Sequence, residues 1–281
     1  MICDSPFFFC KIDELYIPSK FESFHENWCF ANYKVKLIVS PDNKNFKYAD
    51  GEHQILIGKS NINSENFDVV VLANRTIKNA KIPSTIKYIS SYAFSNCFRY
   101  KLEHISTLFY FFIEIPEDSQ IVSFGKESFS CCSIKKIFIP ANFESFGYNC
   151  YSGADYLTDI KISPHNKNFK YADKDSKLII GKSDPNSDNF DILIFANLSI
   201  EKAIIPSTIK IISPHAFSRC KNLRTIEFAK NSCLETIGDY SFSDTYIRKV
   251  VIPKSVKKIK HHAFIDCKKL KAISSRILKV W

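Results

Sequence analysis

An apolar triplet spaced like L-x-x-L-x-L recurs along the chain. It stands at Ile12/Leu15/Ile17, Ile77/Ala80/Ile82, Ile134/Ile137/Ile139 and Leu157/Ile160/Ile162. It returns at Ile200/Ala203/Ile205, Leu223/Ile226/Phe228 and Ile247/Val250/Ile252. Its last two positions alternate, which predicts a short strand with one buried face. A proline often follows at once (Pro18, Pro83, Pro140, Pro206, Pro253) and, lacking a donor, ends the strand. A second pattern reads I-x-x-I-x-x-x-A-F-x-x-C. Its clearest copies are Ile86/Ile89/Ala93/Phe94/Cys97, Ile209/Ile212/Ala216/Phe217/Cys220 and Val256/Ile259/Ala263/Phe264/Cys267. Looser copies centre on Cys29, Phe129, Tyr151 and Phe242. Small Ala beside large Phe, three to four residues after an Ile, suits one helical turn pressed onto a core. The Cys or Asn that closes the pattern is placed to bond buried backbone.

The anchors at 29, 94, 129, 151, 217, 242 and 264 are separated by 65, 35, 22, 66, 25 and 22 residues. The short spacing is one coil. Such a coil cannot bury its own apolar face, but a stack of coils can. Five or six buried Ile, Leu or Phe side chains per coil, at roughly 1.5–3 kcal/mol each, are largely offset by chain entropy. Neighbouring coils therefore decide stability. The predicted fold is a repeat solenoid, with short parallel β-strands on one face and turns or single helical turns on the other.

Residues 40–97 and 163–220 align without a gap at an offset of 123, with well over half the positions identical. This is an internal duplication. It divides a single solenoid over 1–281 into a first super-repeat (17–138), a duplicated one (139–251) and a final unit (252–281). The long spacings are close to three coils, so the SPxNKNFKYAD…LIGKS segment is expected to add strand-rich coils. Asp50-Gly51 is a turn signal before a strand, and the second copy has Asp173-Lys174, so that turn does not depend on Gly.

The string LIGKS at 56–60, repeated as IIGKS at 179–183, looks like the tail of a phosphate-binding loop. That loop needs a second glycine five residues before the first, so that backbone N–H groups wrap the phosphates. Those positions hold His53 and Ser176. No nucleotide is expected, and no other cofactor or metal.

The paired signatures I-P-S-x-I-K-x-I-x-x-x-A-F-x-x-C and L-x-x-I-x-I resemble those of the BspA-like leucine-rich repeat family, from Ile12 to about Ile273. The resemblance implies a curved solenoid acting as an interaction surface. Many members are cell-surface proteins of bacteria or anaerobic protists, linked to adhesion to host matrix or other cells. The family brings no catalytic residues. The implied function is a non-enzymatic protein-binding or adhesion module, with a protein or cell-surface matrix partner. The alternative is an intracellular basic scaffold for acidic protein or nucleic-acid partners.

Composition changes this picture little. The net charge is +10 in 281 residues. A basic balance can favour anionic partners, but Lys, Asn, Ile, Phe and Tyr are also the products of adenine- and thymine-rich codons. The lysines read as scattered, singly and in pairs such as Lys257-Lys258 and Lys268-Lys269. Nucleic acid is thus an unlikely partner. The N-terminal MICDSPFFFCKIDEL has no basic n-region, and its apolar run is too short for a signal peptide. The run FYFFI at 109–113 cannot span a bilayer. Surface display or secretion is the location that the resemblance implies, with the cytoplasm as alternative.

Ten cysteines (3, 10, 29, 97, 131, 132, 150, 220, 233, 267) include no C-x-x-C, and read as reduced, buried small residues. His261-His262 reads as exposed filler, because the matching positions hold Ser-Tyr and Pro-His. Two sequons, Asn74-Arg75-Thr76 and Asn197-Leu198-Ser199, offer Asn74 and Asn197 as glycosylation sites if the chain is secreted; otherwise each is a turn Asn after a strand. The stretch 98–120 is the least repeat-like, and its aromatics at 109–112 are expected to be buried rather than to form a binding patch.

Overall fold

The computed structural model describes residues 12–24, 36–97 and 110–275. The looser repeat copy at Cys29, together with Cys3, Cys10 and Phe109, lies outside them. The chain forms two compact units, 1–165 and 166–281.

The first unit contains β1 (Glu14–Ile17), β2 (Lys36–Val39), β3 (Phe46–Tyr48), β4 (Ile55–Gly58), β5 (Val69–Ala73) and β6 (Asn79–Lys81). It continues with β7 (Tyr88–Ile89), β8 (Phe112–Glu114), β9 (Ser123–Phe124), β10 (Lys136–Ile139), β11 (Ser145–Phe146) and β12 (Asp159–Ile162). Two parallel rows run through its coils. The apolar triplets give the longer strands, with β6 on β8 and β10 on β12. The I-x-x-I half gives the two-residue strands β7, β9 and β11, which continue in parallel from β5.

The second unit repeats the scheme with β13 (Phe169–Tyr171), β14 (Leu178–Gly181), β15 (Ile192–Ala196), β16 (Lys202–Ile205) and β17 (Ile211–Ile212). Then come β18 (Thr225–Phe228), β19 (Thr236–Ile237), β20 (Lys249–Ile252), β21 (Lys258–Ile259) and β22 (Ala272–Ser275). Its two-residue strands β17, β19 and β21 continue in parallel from β15, and its four-residue ones pair β16 with β18 and β20 with β22.

The proline after each long strand opens a turn as well as ending a ladder. The N–H groups of Phe21, Ile86, Phe143, Ile209 and Val256 donate to the carbonyls of Pro18, Pro83, Pro140, Pro206 and Pro253 at 3.1–3.2 Å. Those donors are the first apolar residues of the next half-coil, so one hydrogen bond sets each corner.

The Ala-Phe segments are chains of turns, and no described residue lies in a helix. Each has two residues with left-handed φ, four apart: Tyr92/Asn96, Glu127/Cys131, Asn149/Gly153, His215/Arg219, Tyr240/Asp244 and His262/Asp266. Backbone donors alternate in direction. Ala93, Ser95 and Cys97 N–H close turns within their own coil, while Tyr92, Phe94 and Asn96 N–H reach Lys126, Ser128 and Ser130 carbonyls of the next at 2.8–2.9 Å. A helical turn would keep all its donors inside the coil, whereas this path uses half of them to join coils.

The duplicated segment does not form further parallel coils. It makes an antiparallel meander, β3-β4-β5 in one unit and β13-β14-β15 in the other. Asp50 and Asp173 fold the first bend by accepting the N–H of Gln54 and Lys177, each at 2.8 Å. All four residues of β4 and of β14 are buried, which suits a continuous apolar string. Both copies carry a register shift at the same place, after Leu56 and after Ile179.

The coil cores hold the expected anchors. Phe94 and Phe129 stack at 5.4 Å, and Phe129 meets Tyr151 at 5.7 Å. In the second unit Phe217, Phe242 and Phe264 form a series at 4.9 and 5.2 Å.

Candidate functional site

Alternation along the longer strands decides which side chains face out. In the first unit Ala80, Ile137 and Ile160 point into the core. Their neighbours Lys81, Phe112, Glu114, Lys136, Phe138, Asp159 and Lys161 occupy the outward rows. Oppositely charged neighbours pair across coils: Lys81 with Glu114 at 3.9 Å and Lys136 with Asp159 at 3.2 Å. Such exposed pairs contribute about 0–1 kcal/mol each and mainly favour one register. Among these charges stand two rings. Phe112 is 51% exposed, and the Lys161 ammonium lies 5.8 Å from the ring centre of Phe138. The expectation of burial over 109–112 therefore divides: Phe111 is buried, while Phe112, one residue on along a strand, must face the other way.

The second unit has the same design. Lys202 pairs with Glu227 at 2.8 Å, and between the charges Ile204 (54% exposed) and Val251 face outward. Each unit thus carries apolar side chains within a charged face, the composition of an interface anchor with a polar rim. Sequence reasoning marked the inward members of the triplets and passed over the outward ones, although x positions filled by Phe or Ile were the available signal.

The GKS strings have structural uses throughout. A Cβ on Gly58 would stand 2.9 Å from the Phe46 ring, and one on Gly181 2.8 Å from Phe169. Lys47 and Lys59 lie over the Phe67 ring at 4.2 and 5.2 Å, and Lys170 and Lys182 over Phe190 at 3.9 and 5.4 Å. The Ser60 N–H and hydroxyl donate to the buried Asp68 carboxylate at 2.8 and 2.7 Å; Ser183 does the same to Asp191 at 2.9 Å. Burial pushes the Asp191 carboxyl up, but the Ser183 donors and Lys210 outweigh it and hold it below its ordinary value. These acids were the residues that sequence reasoning missed. The duplicated N-F-D was their signal.

The thiols of Cys97, Cys132, Cys150 and Cys220 are buried. Burial pushes those of Cys150 and Cys220 up to about 12, as suits small core residues. Cys267 donates to the Phe242 carbonyl at 3.0 Å, as expected of a residue closing the repeat. Among the described cysteines Cys131 and Cys267 are part-buried and Cys233 alone is exposed. His261 and His262 are exposed, and no cluster suited to a metal occurs among the described residues. Asn74 and Asn197 each follow a strand, β5 and β15, and accept the N–H of Thr76 and Ser199 in a local turn at 2.9 and 2.8 Å. No helix among the described residues is long and apolar enough to cross a membrane.

Comparison with known proteins agrees with this geometry. The family described as BspA type leucine rich repeat region matches residues 60–176 and 188–276, in six copies. The structure is similar to that of the pneumococcal vaccine antigen PcpA (TM-score 0.58, 16% identity, 94% of this chain and 62% of that one). It is also similar to a leucine-rich repeat protein from Eubacterium ventriosum (TM-score 0.51, 19% identity, 95% of this chain and 60% of that one). The chain thus spans about three fifths of each of these structures. No curated protein is significantly similar in sequence.

Proposed function

From a chain that belongs to the BspA type leucine-rich repeat family, we infer a non-enzymatic protein-interaction module whose task is adhesion to a host or cell-surface matrix protein. One observation carries this reading: in both units large apolar side chains, Phe112 and Ile204, stand more than half exposed in the outward row of a charged strand ladder. Exposing them costs transfer free energy that burial against a partner recovers. Similarity to a pneumococcal vaccine antigen supports display outside the cell.

Two measurements test the reading. Antibody against the chain is expected to label intact, unpermeabilised source cells; labelling only after permeabilisation overturns surface display. The purified chain is expected to bind at least one of a panel of matrix proteins, and Phe112→Asp or Ile204→Asp to weaken that binding about tenfold or more, with unchanged melting temperature. Binding that ignores both substitutions would remove the ladder face from the argument.

A further inference from the structure

The duplicated meander carries one side-chain arrangement twice. In the first unit the Lys47 and Lys59 ammoniums lie 4.2 and 5.2 Å from the ring centre of Phe67; in the second, those of Lys170 and Lys182 lie 3.9 and 5.4 Å from that of Phe190. Lys47 and Lys170 are exposed, and the other members of each set are partly exposed. The loop from the second lysine to the ring differs between copies, with Asn61, Ile62 and Glu65 against Asp184, Pro185 and Asp188. The clamp keeps its geometry although its loop has changed.

Two cations that share one ring centre stand no farther apart than about one Debye length, roughly 8–10 Å at physiological salt, so they repel. A cation–π contact at an exposed site contributes only about 0.5–1 kcal/mol, which does not account for crowding two charges on one ring. On the outward strand rows a carboxylate answers the lysine: Glu14 with Lys36, Asp159 with Lys136 and Glu227 with Lys202. Among the described residues none of the four clamp lysines has an ion pair. Asp68 and Asp191 follow the rings in sequence, but both oxygens of each carboxylate already accept from Ser60 or Ser183.

We propose that each lysine–ring–lysine clamp binds a sulfate ester of an acidic polysaccharide, its two ammoniums donating to different oxygens of one group. The ring sets the spacing of the charges, and the bound anion offsets their repulsion. A tetrahedral oxyanion offers oxygens to two separate point charges, whereas a planar carboxylate is matched by a guanidinium fork; the clamps contain lysine only. Single-stranded nucleic acid needs open aromatic faces for its bases, but here ammoniums gather over the ring. A polysaccharide presents the same anion many times, which suits a site that occurs twice, and the net charge of +10 attracts it. The clamps belong to the meanders and not to the outward strand rows, so the inference does not rest on the adhesive reading.

The test uses the full chain and a heparin octasaccharide, with the desulfated octasaccharide, which keeps its carboxylates, as control. The sulfated probe is expected to bind about tenfold or more tightly than the control. Lys47→Ala/Lys59→Ala and Lys170→Ala/Lys182→Ala should each weaken binding about threefold, and the four substitutions together about tenfold, at unchanged melting temperature. Lys254→Ala/Lys269→Ala removes two exposed charges outside the meanders and should leave binding within about twofold; an equal loss there shows that charge number alone matters and overturns the proposal. Phe67→Leu/Phe190→Leu keeps every charge and should still weaken binding about threefold; unchanged binding overturns the clamp. In the wild-type chain with carbon-13-methylated lysines, the signals of Lys47, Lys59, Lys170 and Lys182 should move most when the probe is added. Larger shifts at other lysines, equal binding of the desulfated control, or tighter binding of single-stranded DNA would each sink the proposal.

Discussion

Phe242 shows what a single position contributes. It is fully buried and lies between Phe217 and Phe264, stacked on both. Phe242→Ala is expected to cost about 3–5 kcal/mol in urea denaturation. Phe264→Ala should cost less than half as much, because that ring is only partly buried. A second residue-scale expectation concerns pH. Asp191 has a folded value below the ordinary one of about 3.9, so its contribution is present above that value and lost as pH falls through the lowered one. The wild-type urea midpoint should therefore drop more steeply on acidification than that of Asp191→Asn. Equal slopes would show that Ser183 and Lys210 do not hold the charge. The phenylalanine anchors were legible in the sequence because each repeats with its Ala and Cys. Asp191 was marked only by the duplicated N-F-D, because a carboxylate beside a loop looks the same whether it faces water or the N–H and hydroxyl of a serine.

Between turn and strand, the controlling quantity is how closely coils approach. Gly125, Gly147 and Gly238 have no left-handed φ, yet a Cβ on Gly147 would stand 2.3 Å from the Gly125 carbonyl carbon and 2.4 Å from the Lys126 nitrogen. Gly147→Ala is expected to destabilise by about 1–3 kcal/mol or more, because backbone rather than a side chain must move. Gly51→Ala meets nothing within 4 Å and should stay within about 0.5 kcal/mol of wild type by thermal melting. The triplet strands and their proline ends were legible, since period and terminator sit in adjacent residues. The meander was not. Its strands look like those of a coil, and only long-range pairing decides that β4 runs against its neighbours. The Ala-Phe turn lay between these cases: the sequence marked the segment, but left-handed Tyr, Glu and His residues leave no compositional trace of the kind glycine leaves.

For the whole molecule, the duplication explains the most. It copies the meander, its register shift, the lysines around a ring and the serine–aspartate lock together. A string that imitates a nucleotide motif twice is one structural device inherited twice. Repeat architecture and family were accessible from residue order, because both are written in periodicity. The outward rows were not, since they emerge only when residues about one coil apart become neighbours.

The paired left-handed positions have a further consequence. Because main chain binds to main chain there, the path of the coil accepts different side chains, which then meet one another across coils: the Tyr92 hydroxyl donates to Glu127 at 3.3 Å, and Tyr240 stacks on His215 and lies beside His262. The first of each pair is Tyr, Glu, Asn, His, Tyr and His in successive copies. Such a stripe is rewritten by touching pairs rather than single letters, while the shelf beneath it keeps its shape.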